Sequence, residues 1–99
     1  MSFFTGIVLF ASLIQQPAPP YKRDVPPRLA AQTRISEDSA RAIVLGRVPG
    51  GTIQELELER EGGVLIYSWD IKLAGKPGIT EVHVDALTGR LLAVEHEGH

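Results

Sequence analysis

The side chains that could carry chemistry in this chain are few. It has three histidines, twelve acidic residues and no cysteine, so thiolate catalysis and cysteine metal sites are excluded. His83 and Asp85 stand two apart in "HVDALTG". On an extended strand that spacing puts both on one face. His96 and His99 lie in the terminal "EHEGH", interleaved with Glu95 and Glu97. A hairpin that brought the tail back would make His83, Asp85 and His96 weak candidates for a metal. No spacing here matches a zinc or calcium motif, and solvated surface residues are the preferred reading. Ser36 and Ser39 have no histidine or acid in a triad-like context. The glycine pairs 50–51 and 62–63 lack the lysine and hydroxyl of a phosphate-binding loop. The expectation is a protein that is not an enzyme and holds no cofactor.

The acid and glycine of "VDALTG" (84–89) have a simpler explanation than catalysis. An Asp85 carboxylate can accept from a backbone N–H about two residues on, as in an Asx-turn. Thr88 can do the same more weakly, and Gly89 supplies the positive φ that a bulged hairpin needs. Asp85, Thr88 and Gly89 are therefore read as a structural turn.

Acidic residues recur on one side of alternating stretches. "TIQELELEREGG" (52–63) alternates Leu56 and Leu58 with Glu55, Glu57 and Glu59. This period of two describes a half-exposed strand. "VLIYSWDIKL" (64–73) sets Leu65, Tyr67, Trp69, Ile71 and Leu73 on one face, Ser68, Asp70 and Lys72 on the other. The aromatic face should be buried, since Tyr67 and Trp69 carry the largest apolar areas. Glu55, Glu57, Asp70 and Lys72 then share the outward face, a candidate surface for contact with a partner.

The elements that must position these residues follow from periodicity. "ISEDSARAIVLGRVPGG" (35–51) reads as a helix: Ser36 caps it, and Glu37 and Asp38 meet the positive end of its dipole. Ala40, Ile43, Val44 and Val48 form its apolar stripe, and Glu37 and Arg41 have the spacing of an ion pair. Pro49-Gly50-Gly51 ends it. "ITEVHVDA" (79–86) and "RLLAVEHE" (90–97) are two further strands, the first with Val82 and Val84 inward. The expected core is Ile43, Val44, Leu56, Leu58, Tyr67, Trp69, Ile71, Val82, Val84, Leu92 and Val94. Short connections make neighbouring strands antiparallel. The expected fold is α+β in two layers: one N-terminal helix packed on a four-stranded antiparallel sheet, spanning 34–96 with a 97–99 tail.

Residues 1–33 read differently. "FFTGIVLFASLI" (3–14) is an apolar run shorter than the ~20 residues of a bilayer-spanning helix. Residues 1–16 are read as a signal peptide, with an uncleaved membrane anchor as the alternative. No basic residue precedes the run. Residues 17–33 hold Pro17, Pro19, Pro20, Pro26 and Pro27 and read as a proline-rich linker. The net charge of −2 and the absence of a basic cluster argue against nucleic-acid binding.

"ISEDSARAIV", "VPGG", "ELELEREGGVLIYSWDIKL" and "EVHVDALTGRLLAVE", in that order, resemble the PepSY domain family. The resemblance spans 35–95. It implies a small extracytoplasmic domain of the kind found in the propeptides of secreted metallopeptidases, without a catalytic constellation. The function it implies is a non-catalytic exported binding module that modulates or inhibits a peptidase or another envelope partner, in the periplasm or outside the cell. Membrane contact would come only through the N-terminal segment. The alternative is a metal- or ligand-responsive periplasmic accessory or sensor protein.

Overall fold

The computed structural model describes residues 20–98. The signal peptide or anchor expected in 1–16, and His99, lie outside the described residues.

Two helices and five strands are present among the described residues. In chain order they are β1 (Lys22–Asp24), α1 (Pro27–Ala30), α2 (Glu37–Arg47), β2 (Gly51–Glu61), β3 (Val64–Leu73), β4 (Ile79–Asp85) and β5 (Leu91–Glu97). The sheet runs β1-β2-β3-β4-β5. The four strands β2 to β5 pair antiparallel, each with its sequence neighbour. β1 adds itself to β2 in parallel, Lys22 opposite Glu55 and Asp24 opposite Glu57.

The fold is thus α+β, but the expectation of four antiparallel strands and one helix needs correcting. The sheet has a fifth, parallel strand, and a short second helix follows it. Both arise from the proline-rich stretch read as a linker. Proline is excluded from central strands but tolerated beside a short edge strand. Three residues between Pro20 and Pro26 are enough for one, and Pro27 stands at the start of α1, where its missing N–H costs nothing.

α2 begins as its sequence suggests. The Ser36 Oγ accepts from the Ser39 backbone N at 3.1 Å, and the helix ends one residue before Val48. Ala40 and Val44 are fully buried where α2 lies across β3 and β4. Facing them are Leu56, Leu58, Trp69, Ile71, Val82 and Val84, all buried. Trp69 is central: its ring meets Tyr21 edge-on at 5.9 Å and Tyr67 at 6.2 Å. Its Nε1 is buried without a hydrogen-bond partner among the described residues.

Two expected core residues are not in the core. Leu92 and Val94 are 44% and 39% exposed. They lie on β5, the sheet's far edge, outside the helical cover. A break in register leaves Leu92 unpaired between Ala93, opposite His83, and Leu91, opposite Val84. Ile43 is only half-buried.

Candidate functional site

The side of the sheet away from the helices has no second layer among the described residues. Register decides what stands on it. Glu55 is opposite Asp70, Asp70 is opposite Glu81, and Glu57 is opposite Ser68. These five side chains line a shallow depression of about 70 Å³. Ser68, 5% exposed, is its floor, and its Oγ donates to Glu81 Oε2 at 3.2 Å. The lining is four carboxylates and a hydroxyl.

Electrostatics follow from that crowding. Burial, and then the charges of Glu81, Glu55, Glu57 and Glu97, push the Asp70 carboxyl above its ordinary range. Glu59, next along β2, is likewise raised by burial and then by Glu57 and Glu61. The face holds its negative charge against repulsion, and a cation brought to it would be attracted.

Of the expected contact residues, Glu55, Glu57 and Asp70 meet in this depression. Lys72 does not line it; its Nζ donates to the Lys76 carbonyl in the β3–β4 turn. Glu81 and Ser68 complete the group. Their membership depends on the β3–β4 register, which alternation within one strand does not give.

The metal candidates separate. His83 and Asp85 are on the open face, while His96 is on the helix side, its Nδ1 2.9 Å from the Thr80 Oγ1. His96 is opposite Thr80 and Ala93 is opposite His83, three residues along each strand, so the two rings point to opposite faces. No group of three potential ligands stands together among the described residues. His83 Nε2 lies 3.3 Å from Glu81 Oε2.

Asp85 is engaged by its own turn. Its Oδ1 accepts from the Leu87 N at 2.7 Å and the Thr88 N at 3.1 Å. Thr88 Oγ1 accepts from the Arg90 N at 3.2 Å, and Gly89 has φ +79°. The same turn anchors the chain before α2: the Arg34 and Ile35 N–H groups both donate to the Ala86 carbonyl.

A family model named PepSY, described as the peptidase propeptide and YPEB domain, matches residues 34–95. The chain belongs to the PepSY family. No curated protein and no solved structure matches the chain. The PepSY match covers α2, strands β2 to β4 and β5 as far as Glu95, and it begins after β1 and α1, so the parallel edge strand lies outside the matched span.

β1 and the PepSY helix are joined by a polar network between residues far apart in the chain. Arg23 donates to Glu37 from NH2 to Oε1 at 2.6 Å and from Nε to Oε1 and Oε2 at 3.2 and 3.0 Å. Tyr21 Oη donates to Glu37 Oε2 and accepts from Arg41 NH1 at 2.9 Å. Glu37 is therefore paired with Arg23, while Arg41 pairs with Asp38 at 2.7 Å, and the Glu37–Arg41 pair expected from spacing is replaced. The alternation of Tyr21, Arg23 and Val25 was the available signal, masked by the flanking prolines.

Proposed function

We propose that this PepSY chain is a non-catalytic, extracytoplasmic protein-binding module that modulates a peptidase or another envelope partner. The observation that carries the proposal is the asymmetry of the sheet. One face is sealed by helices around Trp69, and the other presents Glu55, Glu57, Asp70 and Glu81 with no covering layer among the described residues. Carboxylates crowded this way cost the free domain stability, and a basic partner surface would relieve that cost. Association through exposed charge is fast, selective for sign and weakened by salt. The family's association with peptidase propeptides supports a peptidase as the partner class.

The test is titration of the chain against the envelope peptidases of its own host. Binding without turnover of the chain's partner, weakened by salt and by Glu57→Gln with Asp70→Asn, supports the proposal. No binding at tens of micromolar, together with a specific metal or small-ligand response, would move the function to a sensor or accessory role. Export rests on the 3–14 apolar run. Fractionation with mass spectrometry of the N-terminus checks it, and a full-length cytosolic protein would contradict it. Among the described residues no helix is long and apolar enough to cross a membrane.

A further inference from the structure

The two edges of the sheet are built differently. β1 is three residues long, carries Lys22, Arg23 and Asp24, and is flanked by Pro20 and Pro26. Short length, charge and proline are the devices that stop a strand edge from recruiting another. β5 is seven residues long and holds no proline, and its charges, Glu95 and Glu97, are all acidic, which repels an acidic strand and admits a basic one. Past the irregularity at Leu92, its pairing with β4 is regular from Ala93 opposite His83 to Glu97 opposite Ile79. Among the described residues, the outer backbone groups of that run face no further strand in the sheet.

The side chains beside this edge differ between the two faces. On the helix side, Val94 is 39% exposed beside buried Val82. On the open side, Glu95 stands opposite Glu81, and Glu97 adds to the repulsion at Asp70. A strand added here would place alternate side chains beside Val94 and His96 on one face and beside Glu95 and Glu97 on the other.

We infer that the Ala93–Glu97 edge is a docking site for an extended segment of a partner protein with basic and apolar residues in alternation. The backbone supplies affinity, Val94 takes the apolar side chains, and Glu95, Glu97 and Glu81 take the basic ones. Charge selects this occupant over a second copy of the chain. Self-pairing would extend one acidic face with another of the same sign. The inference rests on the binding-module reading and names the chemistry of the segment it would take.

The probe is an alternating Lys-Val octapeptide added to the full chain. Fluorescence anisotropy should show binding that weakens with salt, and amide hydrogen exchange should show new protection at Ala93–Glu97. The same peptide with alternate amides N-methylated keeps its charges but cannot pair as a strand; it should bind about tenfold or more weakly. An alternating Glu-Val peptide should not bind. Equal binding of the N-methylated peptide, with loss in Asp70→Asn and no protection on β5, would overturn edge docking and leave the acidic-face module standing. A dimer in sedimentation whose interface protects β5 would overturn the choice of occupant. Absence of binding by any of these peptides would overturn the inference without touching the peptidase titration.

Discussion

Tyr21 and Glu37 are sixteen residues apart in the chain, and the Tyr21 Oη donates to Glu37 Oε2 at 2.7 Å. That bond ties the edge strand β1 to the first turn of α2. Burial alone would raise the Glu37 carboxyl. The hydrogen bonds from Arg23 and Tyr21 outweigh it and hold the group below the usual carboxylate range. Burial, and then the bond to Glu37, raise the Tyr21 phenol.

The first prediction concerns this link. Tyr21→Phe removes the donor to Glu37 and the acceptor for Arg41 and should cost about 1–2 kcal/mol in a denaturant melt. A carboxyl depressed in the folded state contributes stability above its unfolded pKa and loses it as pH falls through the folded value. Glu37→Gln should therefore flatten the acid limb of a stability–pH curve. Parallel curves for the variant and the parent chain would show that Glu37 is not held this way.

Asp70 gives the opposite sign. Its carboxyl is raised in the fold, so ionising it opposes folding as pH rises from the unfolded pKa through the folded one. Asp70→Asn should stabilise the domain at neutral pH, by on the order of 0.5 kcal/mol or about 2–4 °C in Tm. The gain should shrink in salt and vanish at acid pH. Destabilisation at neutral pH and low salt would mean that the open face is not repulsive.

Gly89 closes the β4–β5 turn with φ +79°, and a Cβ there would sit 3.4 Å from the Ile43 Cδ1. The space is adequate, so the penalty comes from backbone conformation. Gly89→Ala should cost about 1–2 kcal/mol by thermal or denaturant melting. A loss of only a few tenths would show that the turn relaxes to another form.

Trp69 is fully buried between the helices and the sheet. Trp69→Ala should cost about 3–5 kcal/mol, comparable to the whole stability of a domain this small. The variant should be largely unfolded by near-ultraviolet dichroism. A native-like melt would remove Trp69 from the centre of the core.

The sequence was most informative where a physical signal is local. Two-residue alternation placed Leu56, Leu58, Tyr67, Trp69, Val82 and Val84 on one face, and all six are buried there. Gly62 and Gly63, both at positive φ, make the tight β2–β3 reversal that their pairing suggests. Alternation does not say how far one helix reaches across the sheet, so it points Leu92 and Val94 to the core although both are exposed. It could not give register between strands either, so Glu81 and Ser68 were not joined to Glu55, Glu57 and Asp70. β1 is hard to read because flanking prolines mask the short alternation of Tyr21, Arg23 and Val25; Tyr21 and Arg23 tie it to Glu37.

The open acidic side of the sheet is proposed to recruit a protein partner. Calorimetric titration of the chain into purified envelope peptidases of its host, at low and at physiological salt, tests it most directly. Binding should be saturable, weaken with salt, and weaken further in the Glu57→Gln, Asp70→Asn double variant while the fold of that variant stays intact. Salt-independent binding that the double variant leaves unchanged, or no binding at tens of micromolar, would contradict it.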